Sequence, residues 1–187
     1  MFRPSPPRLK KWLLGPTKTL GHYRIFDVLS HELRDPQGNL RREVVTLGCG
    51  EWCNVVAITE TQEIILIWQY RFGSDAIGLE TPGGVVDPGE APLSAAKREL
   101  LEETGYRAES WTRLGDLHPG VGYTNELIEL WRADGLTHVG RKLDEDEHLD
   151  IVTMRGDDLL AAFDRGEITD AKTIATLFHL VRLGGLG

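Results

Sequence analysis

The 187-residue chain is poor in cysteine, with only Cys49 and Cys53 present. Two thiols four residues apart are too few for a disulfide framework and lack the partners of a zinc site. They read as ordinary reduced cysteines, and the expected location is cytoplasmic. Long apolar runs are lacking as well, so no segment approaches membrane-spanning length. The basic N-terminal stretch (Arg3, Arg8, Lys10, Lys11) leads only to the short Trp12-Leu13-Leu14, too little for a signal peptide. Positive charge is in the minority: 21 Lys and Arg face 29 Asp and Glu, a net charge of -8. Such a chain is a poor non-specific binder of nucleic acid. The six histidines show no metal-ligand spacing, and His118 and His148 read as surface residues. What is present, 41% hydrophobic and 27% charged residues, is the composition of a soluble globular protein with a real core.

The pattern along the chain divides it into three parts. Residues 1–20, rich in Pro and Lys/Arg, read as an irregular basic arm. Residues 21–48 read as a strand hairpin: His22–Arg34 is extended, Asp35-Pro36-Gln37-Gly38-Asn39 is a turn, and Leu40–Leu47 returns. The rest, 49–187, reads as the main domain. Trp52–Thr59 and Glu63–Tyr70 form a second strand pair. The run Ile64-Ile65-Leu66-Ile67 predicts a strand buried on both faces. A loop through Phe72–Asp75 leads to Gly78–Gly84. Pro92 suits a first helical turn and Gly105 the position past a helix end, so a helix is expected over Pro92–Glu103. Strands are expected at Tyr106–Leu117, Asn125–Ala133 and Leu149–Met154, and helices at Asp157–Asp164 and Asp170–Leu183. The last has apolar Ile174, Leu177, Phe178 and Val181 at helical spacing. Strands with one embedded helix and trailing helices imply a mixed sheet covered by helices.

The chemistry lies in the embedded helix. Glu99, Glu102 and Glu103 stand at i, i+3 and i+4 and fall within an arc of roughly 100°. Leu93, Ala96, Leu100 and Thr104 form a neighbouring face that can be buried. At 4 Å and an effective dielectric of about 20, each close carboxylate pair costs on the order of 4 kcal/mol. A helix C-terminus is also the unfavourable end for negative charge. Taken alone, such glutamates suit a solvated helix face. The loop before them argues otherwise: Gly83-Gly84 permits close backbone approach, and carbonyls there can ligate metal. Bound divalent cations would remove the repulsion, and carboxylates are ligands that Mg²⁺ and Mn²⁺ prefer. Arg98, four before Glu102, can hold that carboxylate in place.

Gly84, Glu90, Arg98, Glu99, Leu100, Glu102, Glu103, Gly105 and Tyr106 fill every defined position of a Nudix box, G-x5-E-x7-R-E-U-x-E-E-x-G-U. A chance match is on the order of one in a billion per starting position. The segment therefore resembles the Nudix hydrolase family. The resemblance implies an α/β fold, the Nudix α/β/α sandwich with a mixed sheet, plus the N-terminal antiparallel hairpin. It implies that Glu99 and Glu103 are the principal metal ligands, that Glu102 is a further one, and that Gly83 lends its carbonyl.

Several elements outside the box resemble the ADP-ribose pyrophosphatase and nucleotide-sugar hydrolase branch. Gln69-Tyr70-Arg71 is similar to that branch's Q-Y-R, whose arginine meets substrate phosphate. Leu79-Glu80-Thr81-Pro82-Gly83-Gly84 resembles its L-E-x-P-A-G, with Gly83 replacing alanine, which places Glu80 beside the substrate. Pro119–Glu126 resembles P-G-x-x-x-E with one or two extra residues. Gly166–Thr173 resembles G-x-I-x-D-x-K-T. In that branch the N-terminal strands exchange between subunits, so a homodimer is expected. Trp52 and Tyr23 suit either stacking on a base or packing in the core or an interface.

The resemblance implies metal-dependent hydrolysis of the pyrophosphate bond of ADP-ribose or a related nucleoside diphosphate sugar, with Mg²⁺ or Mn²⁺ as cofactor. A GDP-mannose-type hydrolase would use the same core chemistry. A non-catalytic ADP-ribose-sensing module is a different class, but such modules usually lose box glutamates, and the box here is intact. A carboxylate must take the attacking water's proton. The acidic loop Asp144-Glu145-Asp146-Glu147 resembles the element that supplies it, and Glu147 is the favoured base, with Glu103 or Glu145 as alternatives.

Overall fold

The structure, a computed structural model, describes residues 10–141 and 148–184. The chain divides into two compact units. One takes the N-terminal stretch up to Gly50 together with Gly120–Asn125; the other takes Glu51–Pro119 and Glu126 onward. No helix among the described residues is long and apolar enough to cross a membrane.

The N-terminal unit is a three-stranded antiparallel sheet in the order β1 (Leu13–His22), β2 (Phe26–Arg34), β3 (Leu40–Cys49). The expected irregular lead-in is thus corrected from Leu13 onward. Proline obscured the strand: a register shift falls between Leu14 and Thr17, around Pro16, on an edge strand where a residue without an N–H is tolerated. The β2–β3 turn is closed by Asp35, whose Oδ1 accepts from the N–H groups of Gln37 (3.0 Å) and Asn39 (2.9 Å). His31, 8% exposed, links the strands through the hydroxyls of Thr17 (3.1 Å) and Thr46 (2.8 Å). The Tyr123 carbonyl accepts from Leu47 N–H at 2.7 Å, which adds the 120–125 segment to this unit.

The second unit is built on a six-stranded mixed sheet. β4 (Glu51–Ile58), β5 (Ile64–Arg71) and β6 (Ala76–Glu80) are followed by α1 (Pro92–Thr104). Next come β7 (Tyr106–Leu117), β8 (Leu127–His138), β9 (Leu149–Met154), α2 (Gly156–Asp164) and α3 (Ala171–Arg182). The strand order is β6-β5-β4-β8-β7, with β9 also paired to β5. β4 and β8 run parallel and the other pairs antiparallel. β6 follows the expected loop as a strand that the sequence reading left unassigned; five residues ending in Gly-Leu-Glu offer no alternation to read.

Each face of the sheet carries its own core. Cys53, Val55, Ala57 and Ile65 pack on Ala95, Ala96 and Leu100 of α1. Val56, Ile58, Ile64 and Leu66 pack with Leu159 of α2 and with Leu177 and Leu180 of α3. Residues 64–67 are at most 1% exposed, as a strand sandwiched between two helical layers must be. This is the expected α/β/α sandwich. α3 departs from its expected stripe. Leu177 is buried, but Ile174, Phe178 and Val181 are exposed and line a groove of about 730 Å³ with Leu160 and Phe163.

Candidate active site

α1 stops where its sequence says it should. Gly105 takes the left-handed conformation (φ 75°) and its N–H returns to the Leu101 carbonyl. This leaves Glu99, Glu102 and Glu103 in the last turn and a half, against the loop Thr81–Gly84. Gly83 and Gly84 make that approach possible. A Cβ on Gly83 would lie 2.9 Å from the Asn54 Cα of β4. One on Gly84 would lie 2.5 Å from the carboxyl carbon of Glu99.

The three carboxylates differ in setting. Glu103 is 2% exposed and accepts from the Gly83 N–H at 2.9 Å. Glu99 is nearly buried and takes a hydrogen bond of 2.7 Å from Arg98. Glu102, more exposed, takes one of 3.1 Å from the same nitrogen. Arg98 also donates to both Glu90 oxygens (3.3 and 3.0 Å) and to the Val85 carbonyl. Glu90 first, then Glu99 and Glu102, raise the Arg98 pKa against its burial, so it stays charged. Its bonds to Glu99 and Glu102 reduce the repulsion that three close carboxylates create.

Among the described residues no three His, Cys, Asp or Glu side chains stand in a finished metal-binding group. The donor chemistry nonetheless suits a hard divalent cation. The Pro82 and Gly84 carbonyls accept from the Val55 and Cys53 N–H groups, while the Gly83 carbonyl has no donor among the described residues. Together with the carboxylates of Glu99 and Glu103, that carbonyl would make an all-oxygen donor set. The negative field is felt nearby. Burial first, and then the charges of Glu99 and Glu103, push the Cys53 thiol up to about 12.

Arg71, at the end of β5, donates to Glu80 through Nε (2.9 Å) and Nη2 (2.8 Å). Glu80 is 3% exposed, and both its carboxylate oxygens accept from Arg71. Burial works against the Arg71 charge, but Glu80, Glu103 and Asp170 outweigh it and raise its pKa. Arg71 thus stands in the field of the same glutamate that anchors Gly83.

Other candidates are placed as follows. One side of the Trp52 ring carries the Lys172 ammonium, 5.5 Å from its centroid, and the residue packs partly on the core. Both contacts fit the packing reading. Tyr23 belongs to the N-terminal unit, exposed and 5.3 Å from Phe26. Glu147 and its acidic neighbours lie outside the described residues. Glu126 carried no role in the sequence reading. Burial first, and then the charge of Asp170, raise its pKa, with Lys172 opposing. Its signal was the terminal acid of the P-G-x-x-x-E-like element.

An α/β/α sandwich with carboxylates gathered at a Gly-Gly turn defines a class. A NUDIX domain model matches residues 53–177, well over half of the chain, and the chain belongs to the Nudix family of hydrolases. Hydrolases of this family generally use divalent metal ions. Particular relatives are similar over nearly the whole length. An ADP-ribose pyrophosphatase of Bacillus subtilis (strain 168) is 29% identical over 84% of this chain and 85% of its own. One of Mycobacterium tuberculosis is 32% identical over 90% of this chain and 83% of its own. A crystal structure of an ADP compounds hydrolase superposes with a TM-score of 0.84 at 28% identity, covering 97% of this chain and 99% of that one.

Proposed function

We propose that this protein hydrolyses the pyrophosphate bond of ADP-ribose or a related nucleoside diphosphate sugar, using Mg²⁺ or Mn²⁺. The products would be a nucleoside monophosphate and a sugar phosphate. The observation that carries the reading is one Gly-Gly turn that meets two carboxylates, Glu103 on the Gly83 N–H and Glu99 against Gly84, with Arg71 in the field of Glu103. A diphosphate ester bears anionic oxygens on both phosphorus atoms, and a cation held by this oxygen set would neutralise them and lower the pKa of an attacking water. Glu99 and Glu103 would hold the ion, with Glu102 beside them. Arg98 keeps Glu99 and Glu102 aimed. Arg71, fixed by Glu80, presents its remaining donors to a substrate phosphate. Glu147 is the proposed general base. The names of relatives, ADP-ribose pyrophosphatases and GDP-mannose pyrophosphatases among them, support nucleoside diphosphate sugar substrates. The N-terminal sheet supports a homodimer: not one of its hydrophobic side chains is buried within this chain.

The test is a substrate panel of ADP-ribose, GDP-mannose, ADP-glucose and NADH with Mg²⁺ or Mn²⁺, read by product mass, on the wild type and Glu103→Gln. ADP-ribose cleavage to AMP is expected. The variant should lose on the order of a hundredfold or more in turnover, as removal of several kcal/mol of charge stabilisation implies. Full activity of Glu103→Gln would remove the metal-site assignment.

A further inference from the structure

A second concave site lies on the other flank of α1. Lys97, Arg98 and Leu101 of the helix and Arg107, Ala108 and Trp111 of β7 line a pocket of about 330 Å³. Its charge opposes that of the molecule, which is net -8. Four arginines elsewhere in this unit are closed on acidic neighbours: Arg71 on Glu80, Arg113 on Asp116, Arg132 on Asp134, Arg165 on Glu167. Lys97 and Arg107 make no ion pair among the described residues, and both are exposed. Two uncommitted cations flanking a tryptophan recognise a ligand that is anionic at one end and aromatic at the other. Trp111 also has a buried indole N–H with no acceptor among the described residues. The volume falls in the range of small-molecule sites.

We propose that this pocket binds a nucleoside monophosphate, its phosphate between Lys97 and Arg107 and its base against Trp111. The ligand would report to the carboxylates through Arg98, which belongs to both places. Arg98 lines the pocket and holds Glu90, Glu99 and Glu102. A phosphate brought beside this guanidinium competes with those carboxylates for its donors, loosening Glu99 and Glu102. Occupancy therefore lowers turnover without occupying the catalytic cleft. This regulatory half rests on the pyrophosphatase reading, which makes a nucleoside monophosphate the product; the binding half does not.

The binding test is ¹H–¹⁵N NMR of the full chain in EDTA, following the Trp111 indole signal, identified by its loss in Trp111→Phe. AMP is expected to shift this signal saturably. Adenosine and inorganic phosphate should each bind about tenfold more weakly or worse. Lys97→Gln/Arg107→Gln, in surface side chains, should weaken AMP binding about tenfold or more while keeping the wild-type initial rate. A Trp111 signal that ignores millimolar AMP, or that shifts equally in the double variant, overturns the site. Inorganic phosphate matching AMP would make it a simple anion site and overturn the nucleotide assignment.

The regulatory test is the initial rate against added AMP. A non-competitive component present in the wild type and lost in the double variant is expected. Purely competitive inhibition, identical in both proteins, overturns the coupling. Failure to cleave any nucleoside diphosphate sugar would instead sink the pyrophosphatase reading, and the NMR result would be unaffected.

Discussion

Two adjacent glycines show how differently neighbouring residues can carry a site. A methyl group added at Gly84 meets the far end of a flexible side chain, the Glu99 carboxylate. One added at Gly83 meets backbone, 2.9 Å from the Asn54 Cα, and the Asn54 side chain at 2.7 Å. Gly84→Ala should therefore leave the urea midpoint nearly unchanged and displace Glu99, cutting metal-dependent turnover on the order of a hundredfold. Gly83→Ala should instead destabilise the fold by about 1–3 kcal/mol, because β4 cannot step aside. Equal stability loss in both variants would show that Gly84 is structural rather than a cradle for Glu99. Asp35 offers a test of a different kind. The Asn39 side-chain amide first, then the Asn39 backbone N–H, Arg41 and the Gln37 N–H, lower its pKa to about 2 from 3.8, against desolvation. A depressed carboxylate stabilises the folded state above the unfolded pKa and loses that contribution as pH falls through the folded one. The stability gap between wild type and Asp35→Asn should thus be constant above about pH 4 and close toward pH 2. A gap that persists at pH 2, followed by urea unfolding, would deny the turn its ionised form.

At the level of elements, α3 explains a motif that the sequence showed without a reason. Asp170 caps the helix by accepting from the Thr173 N–H at 2.8 Å and its hydroxyl at 2.9 Å. The Thr173 hydroxyl in turn accepts from the Thr81 N–H at 3.0 Å, and Asn54 of β4 donates to the hydroxyls of Thr81 (2.6 Å) and Thr176 (3.0 Å). The D-x-K-T pattern thus pins the loop that leads to Gly83. Thr173→Val keeps the shape but leaves the Thr81 N–H buried without a partner, which should cost about 1–3 kcal/mol in chemical unfolding. A loss below half of one kcal/mol would mean the loop is held elsewhere. The same element marks the limit of sequence reading. Helix ends at Pro92 and Gly105 were legible because each demands a special backbone, and the run 64–67 because only burial on two faces explains it. β1 was not, since Gly15-Pro16 mimics a linker and the strand continues past it through a register shift. The exposed half of the α3 stripe was not either: periodicity shows that Ile174, Phe178 and Val181 share a side, not what covers it. At the site, the three glutamates were legible from their spacing. The commitment of Glu80 to Arg71 joins two strands and could be seen only once they were paired.

The whole molecule is unevenly provided with core. Every buried hydrophobic side chain among the described residues belongs to the second unit, starting at Cys53. The N-terminal sheet buries Ser30, His31 and Asp35 instead, and exposes Leu14, Leu20, Leu40 and Val45 by 53% or more. A three-stranded sheet needs an apolar face packed against something to be stable. Exposed apolar residues on a sheet with free edges are also a hazard unless a partner covers them. A second copy is the simplest cover, because a two-fold axis lets the same patch serve on both sides. Light scattering should then give a mass near twice 20.9 kDa for the wild type. Val45→Glu places a charge on one face of this sheet, and desolvating it across an apolar interface costs several kcal/mol. The variant should run as the monomer at micromolar concentration. If the wild type is itself a monomer, the sheet must be covered in some other way. If it is a dimer that Val45→Glu leaves untouched, the interface lies on a different surface of the chain.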